Sequence, residues 1–221
     1  MKPRFVQTDR IAVKICGVTS ESDALVACDA GADALGFNFW PKSKRYVKPE
    51  HFCQWGRELP ESTERVGVFV NAEPQEVFRL LETGVIHAAQ FHGDETVQYY
   101  QRFSANFGTL KAFTVKDDCS VSAISSFPAA SILLDAYSPG EYGGSGASFD
   151  WNLGRRFVLE NPDRRVVLAG GLRPDNVAIA VAGVIPAAVD VATGVESAPG
   201  IKDSFRVNDF IAAVREVKIP D

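Results

Sequence analysis

The chain reads as an α/β protein, a single (β/α)8 barrel of the TIM type, on three observations. Strand-like runs rich in Val, Ile, Leu and Phe occur eight times. Segments of helical periodicity separate them, which demands parallel strands joined by crossover helices. No linker, low-complexity segment or charge run divides the 221 residues, so one domain is expected over 1–221, with 1–10 a short arm of no assigned role.

The strands are, in order, IAVKICG (11–17), ADALGFNF (32–39), RVGVFVN (65–71), AAQFHG (88–93), TLKAFTV (109–115), SILLDA (131–136), RVVLAGG (165–171) and AAVDVATG (187–194). Helix starts are marked by Ser20 before ESDALVACDAG, by Pro49 and Pro74, and by Pro174 before DNVAIAVAG. Proline in a first turn and glycine just past the end is the usual asymmetry of a helix. An open doubly wound sheet also accommodates eight strands, but it predicts a GxGxxG turn after the first, where this chain has CGVTSESD (16–23).

Composition narrows the function. A hydrophobic content of 46% fills a sizeable core, and a net charge of -5 gives nucleic acid or an anionic membrane surface nothing to hold. No apolar run reaches the roughly 18 residues of a membrane span, and the start MKPRFVQTDR lacks the apolar centre of a secretory signal. A cytoplasmic protein is expected, a monomer by default, with a homodimer contact through a helix face as the alternative. The four cysteines form no CxxC pair and have no histidine at zinc spacing, so neither disulfide nor metal is signalled.

Active sites of such barrels lie at the carboxyl ends of the strands. That rule collects Cys16, Asn38, Asn71, Gln90, His92, Asp135, Gly170, Gly171, Asp190 and Thr193. Strand parity puts Cys16 on the same side as Lys14, whose ammonium would draw a thiol pKa from about 8.5 toward neutrality. The plainer reading of a free cysteine is a small buried hydrophobe, and Cys28 and Cys53 are read that way. Cys119 reads as a helix-start residue without a partner. Asp135, closing the apolar run ILLD, is either an acid of the site or a cap for the loop AYSPGEYGGSGASFDW. Asp190, inside a strand, needs a partner if it faces inward, and Lys14 on the neighbouring first strand is the natural one. LAGGLRPDN and VATGVESAPGIKD are glycine-rich turns after the seventh and eighth strands, able either to aim N–H groups at a phosphate or simply to turn tightly. His51 and His87 fall in helical or connecting segments and are assigned nothing.

VKICGVTSESDA, GADALGFNFWPKSKRYV, RVGVFVN, AAQFHGDE, LLDAYSPGEYGGSGASFDW, LAGGLRPDNV and AVDVATGVESAPGIKD resemble, in order, the motifs of the phosphoribosylanthranilate isomerases of tryptophan biosynthesis. They run from residue 13 to about 203. The resemblance implies an Amadori rearrangement of a small phosphosugar, N-(5-phosphoribosyl)anthranilate, to 1-(2-carboxyphenylamino)-1-deoxyribulose 5-phosphate, with no cofactor and no metal. It makes Cys16 the general base and Asp135 the general acid, which calls for surroundings that keep a proton on Asp135. It also matches Arg45 to the anthranilate carboxylate, Gly170, Gly171, Thr193 and Gly194 to the phosphate, and His92 and Asp190 to polar positions near the reacting centre. Lys42 and Lys44 flank Arg45 as steering or solvated charges.

Ala169 and Ala192 stand where the family often has serine, and Phe91 where it has leucine. Among rival barrels, the sister isomerase of histidine biosynthesis shows two matched halves, absent here. Indole-glycerol-phosphate synthase uses a lysine acid and a glutamate base where this chain has Cys16 and Asp135. A non-catalytic sugar-phosphate binder is the alternative of another class, but it has no need of Cys16.

Overall fold

Eight parallel strands close on themselves in sequence order, the eighth pairing with the first, in a computed structural model that describes residues 1–136 and 150–218. The strands are β1 (Ala12–Cys16), β2 (Ala34–Asn38), β3 (Glu64–Phe69), β4 (Ala88–Phe91), β5 (Gly108–Val115), β6 (Ser131–Ala136), β7 (Arg165–Leu168) and β8 (Ala188–Val191). The helices are α1 (Glu21–Asp29), α2 (Pro49–Trp55), α3 (Pro74–Glu82), α4 (Val97–Ser104), α5 (Asp118–Ser125), α6 (Trp151–Glu160), α7 (Val177–Val184) and α8 (Ser204–Arg215). The predicted (β/α)8 barrel is the observed fold. Most of the loop read as AYSPGEYGGSGASFDW lies outside the described residues.

Local signals explain the boundaries. Ser20 caps α1 by accepting the Asp23 N–H, and Pro49 and Pro74 open α2 and α3. Pro174 does not open α7: the Asn176 side chain accepts the Arg173 N–H, closing a turn that delays the helix to Val177. Several strands end earlier than predicted because their last residues already belong to the loops above the barrel. Cys53 is exposed rather than buried, because α2 turns Phe52 inward and its neighbour outward; Cys28 is half-buried. After β8 come elements the sequence did not signal as such: a 3-10 turn (Thr193–Val195), then an antiparallel pair, β9 (Glu196–Ala198) and β10 (Ile201–Lys202).

Two apolar layers hold the barrel. The larger lies between strands and helices, where both faces of a parallel sheet are covered. The smaller fills the barrel floor with Leu110, Leu133 and their neighbours, among which Ala12, Ala34, Ala88 and Ala188 are small enough to leave room at the amino-terminal mouth. Phe5 and Val6 of the arm fill that room, buried to 3% and 1% exposure. The arm therefore has a role that the sequence reading withheld from it: it plugs the barrel floor. The Phe5 N–H donates to Glu64 Oε2 at 2.6 Å, and the Met1 carbonyl accepts from the Thr109 N–H at 3.0 Å. Among the described residues no helix is long and apolar enough to cross a membrane.

His87, left unassigned by sequence, braces this plug, with Arg4 Nη2 at 2.9 Å and Arg65 Nη2 at 2.6 Å. Burial, then the charges of Arg65 and Arg4, push its pKa down to about 4. The folded chain thus keeps the ring neutral while the unfolded chain takes up a proton near pH 6.5. Stability should be complete above that pH and fall as the pH drops toward 4, by up to about 3 kcal/mol, and His87→Gln should flatten the dependence of the urea midpoint. Phe5→Ala should cost about 3 kcal/mol in urea melts while leaving the far end of the barrel unchanged.

Candidate active site

The carboxyl ends of the strands enclose a cavity lined by Cys16, Asn38, Arg45, Gln90, His92, Asp135, Gly170, Gly171, Asp190, Thr193 and Gly194, among others. All nine residues that the resemblance matched to the site meet there. Asn71, also a predicted strand-end residue, does not line it: its carbonyl Oδ1 accepts the Asp94 N–H, and its own N–H donates to Glu95. It braces the loops beside the buried Lys111–Glu95 pair instead.

Barrel closure builds the first half. Lys14 on β1 lies in register with Asp190 on β8, both inward, and Lys14 Nζ donates to Asp190 Oδ1 at 2.8 Å. Two residues on, Cys16 faces the same side, beside Gly36 on β2. A Cβ on Gly36 would stand 2.7 Å from Cys16 Sγ and 2.9 Å from Lys14 Nζ, so only glycine admits thiol and ammonium side by side. Lys14 does pull the Cys16 thiol pKa down, as expected. Burial and the Asp190 charge outweigh it, however, and the net direction is up, which corrects the predicted shift toward neutrality.

The glycine that breaks IAVKICG has its own reason. Gly17 sits at φ +72°, and a Cβ there would lie 2.3 Å from Arg45 Cδ. Arg45 thus crosses over the end of β1 in direct contact with the main chain. Its Nε donates to Glu196 Oε1 at 2.7 Å, and its Nη2 to Glu196 Oε2 at 2.6 Å and to Thr193 Oγ1 at 3.0 Å. Lys202 Nζ reaches Glu196 Oε1 at 2.9 Å and the Cys16 carbonyl at 2.6 Å. Sequence reading missed Glu196 and Lys202. The signal was the Pro199–Gly200 turn, which folds the strand back and brings the two charges into register.

On the opposite wall Asp135 ends β6, buried to 6% exposure. Its Oδ1 accepts the Ala136 N–H at 2.8 Å, and its Oδ2 lies 3.5 Å from His92 Nε2. Gln90 Nε2 is 3.1 Å from His92 Nδ1. His92 thus lies between Gln90 and Asp135, one ring nitrogen toward each.

Above the barrel the two glycine turns interlock. Gly170 takes φ +84°, and a Cβ on it would strike the Ala136 nitrogen at 2.6 Å. A Cβ on Gly194 would lie 2.0 Å from the Leu172 carbonyl oxygen. The 3-10 turn starting at Thr193 faces the same space, and the first N–H groups of such a turn have no acceptor within it. Arg173 and Arg206, which the sequence reading did not single out, line the same rim, each paired with a carboxylate, Asp175 at 3.1 Å and Asp203 at 3.7 Å.

A model of the N-(5'-phosphoribosyl)anthranilate (PRA) isomerase family matches residues 13–213. The chain belongs to that family. It is 45% identical over 206 residues to the N-(5'-phosphoribosyl)anthranilate isomerase of Trichlorobacter lovleyi, covering 93% of this chain and 98% of that one. The crystal structure of phosphoribosyl anthranilate isomerase from Thermotoga maritima superposes with a TM-score of 0.85 at 39% identity, over 93% of this chain and 98% of that one. A phosphoribosyl anthranilate isomerase in complex with reduced 1-(o-carboxyphenylamino)-1-deoxyribulose 5-phosphate gives a TM-score of 0.82 at 38% identity, over the same shares of 93% and 98%. The isomerase fold thus covers nearly the whole chain.

Burial sets the direction of the thiol shift, and the Lys14–Asp190 pair tunes it. Lys14→Met should raise the Cys16 pKa further and destabilise the fold by about 3 kcal/mol or more, since Asp190 keeps a buried charge without its partner. Asp190→Asn should move the thiol the other way. Thiolate absorbance against pH, with Cys16→Ser subtracted, reads both shifts.

Proposed function

We propose that the chain catalyses the Amadori rearrangement of N-(5-phosphoribosyl)anthranilate to 1-(2-carboxyphenylamino)-1-deoxyribulose 5-phosphate, a step of tryptophan biosynthesis, with Cys16 as general base and Asp135 as general acid. The observation that carries this reading is the meeting of a thiol, a carboxyl group, an arginine and two glycine turns in one cavity.

The roles follow from the chemistry. Asp135 gives a proton to the furanose ring oxygen, and the ring opens to a Schiff base. The iminium then draws electrons from C2, and the Cys16 thiolate removes the C2 proton. The enolamine formed tautomerises to the ketone. Substrate and product are isomers, so no redox partner enters and no covalent intermediate is required. The proton that Cys16 takes matches the one Asp135 gives, leaving the net proton count unchanged.

Binding uses the rest of the wall. Arg45 meets the anthranilate carboxylate through charge-assisted hydrogen bonds. Gly170, Gly171, Thr193 and Gly194 present N–H groups to the phosphate. Ala169 and Ala192, in place of the frequent serines, remove hydroxyls worth about 1 kcal/mol each, a loss that main-chain contacts tolerate. His92 orients Asp135, and Asp190 acts through Lys14 on Cys16. The complex of a similar isomerase with a reduced form of the product supports the same ligand here. The enzyme works as one cytoplasmic domain, a monomer by default.

Cys16→Ser and Asp135→Asn should each lower kcat by about 10²–10⁴-fold with the fold intact, followed as the loss of anthranilate-type fluorescence with substrate generated in situ. For the wild type, kcat/KM should climb with pH along a limb that lies above the ordinary thiol range, because burial raises Cys16. An inert wild type that still binds the reduced product analogue would overturn the isomerase reading.

A further inference from the structure

Glu196 and Lys202 have no part in the steps above, yet both are buried charges against the cavity wall. They face each other across β9 and β10. Lys202 Nζ has three acceptors, the Cys16 carbonyl at 2.6 Å, Glu196 Oε1 at 2.9 Å and the Ala192 carbonyl at 3.4 Å. Three acceptors match the three protons of an ammonium, whereas a neutral amine would turn its lone pair on an oxygen. Burial draws the lysine pKa down, and Glu196 opposes it. Glu196 is held ionised by its partners: Arg45 grips both of its oxygens, and Arg45 with Lys202 keeps its pKa below the ordinary carboxylate value despite burial.

The charges decide what the cluster can bind. Arg45 and Glu196 alone would cancel, and a guanidinium already neutralised offers a substrate carboxylate little net attraction. Among these three described residues Lys202 changes the sum: two cations and one anion leave one positive charge. It also ties that charge to the carbonyl of Cys16, while Arg45 reaches the phosphate turn through Thr193 Oγ1 at 3.0 Å.

We infer that Glu196 and Lys202 are positioning residues for substrate selection: Glu196 fixes the guanidinium of Arg45, and Lys202 keeps the cluster cationic and in one frame with Cys16. The inference rests on the reading of Arg45 as the partner of the anthranilate carboxylate. A cluster that merely staples loops together differs in its consequences. Its loss would harm substrates with and without the carboxylate alike.

The test compares N-(5-phosphoribosyl)anthranilate with its decarboxylated analogue, N-(5-phosphoribosyl)aniline, in four variants and the wild type. Lys202→Met, which takes the net charge to zero, should raise KM for the carboxylated substrate by about tenfold or more and leave KM for the analogue nearly unchanged. Glu196→Gln makes the cluster more positive but looser, so KM for the carboxylated substrate should not rise while kcat falls. The double variant, Glu196→Gln with Lys202→Met, returns the net charge to one and should recover KM toward the wild-type value. If the double variant is no better than Lys202→Met, or if Lys202→Met harms both substrates equally, the positioning role is overturned. Should Lys202→Met not fold, Glu196→Gln decides: a rise in its KM for the carboxylated substrate contradicts the charge count, and no rise supports it. Arg45→Met separates the two levels. Carboxylate preference that survives its removal would sink the reading of Arg45 itself, whereas preference lost in Arg45→Met but kept in Lys202→Met would sink the positioning role alone.

Discussion

The ion pair between Lys14 and Asp190 is the constraint around which the rest of the site is arranged. It joins the first and last strands across 176 residues of sequence, and it exists only when the barrel closes. Two charges buried together cost a large part of their hydration, and a hydrophobic pair of similar volume would often be as stable or more so. Such a pair is therefore poor evidence for stability as an end in itself. What it gives is an electric environment: a fixed cation and a fixed anion beside Cys16, acting on the thiol with opposite sign.

Glycines convert that closure into a crowded polar wall. Gly36 leaves space for the thiol and the ammonium, Gly17 for the stem of Arg45, Gly170 for the approach of the seventh-strand turn to Asp135, and Gly194 for the contact between the two turns. Each forfeits side-chain packing and adds chain entropy to the unfolded state. The apolar layer outside the barrel and the Phe5–Val6 plug beneath it offset those losses from regions that do not touch the cavity. Stability and chemistry are thus divided between the two ends of the strands, as barrels of this kind permit.

Much of this was legible in the sequence. Eight apolar runs alternating with helical periods gave the barrel, because both signals are local and strong. Strand parity placed Lys14 with Cys16, and closure placed Lys14 against Asp190; both contacts are present. Three features were not legible, for physical reasons. The sign of the thiol shift depends on how burial and Asp190 compare with Lys14, which is a matter of distances rather than residue types. The Glu196–Lys202 pair depends on a short antiparallel turn within a segment read only as a glycine-rich loop. The arm lacked strand or helix periodicity, so nothing in it showed that alanines on four or more distant strands would open a floor for Phe5.

The claim at the centre is that Cys16 removes the C2 proton. Single-turnover rates with substrate carrying deuterium at C2, in the wild type and in Cys16→Ser, address it most directly. The expected result is a primary isotope effect in the wild type, and conversion in Cys16→Ser slowed by about 10²–10⁴-fold. Conversion by Cys16→Ser at a comparable rate with the same isotope effect would contradict the assignment, since another group would then be taking the proton.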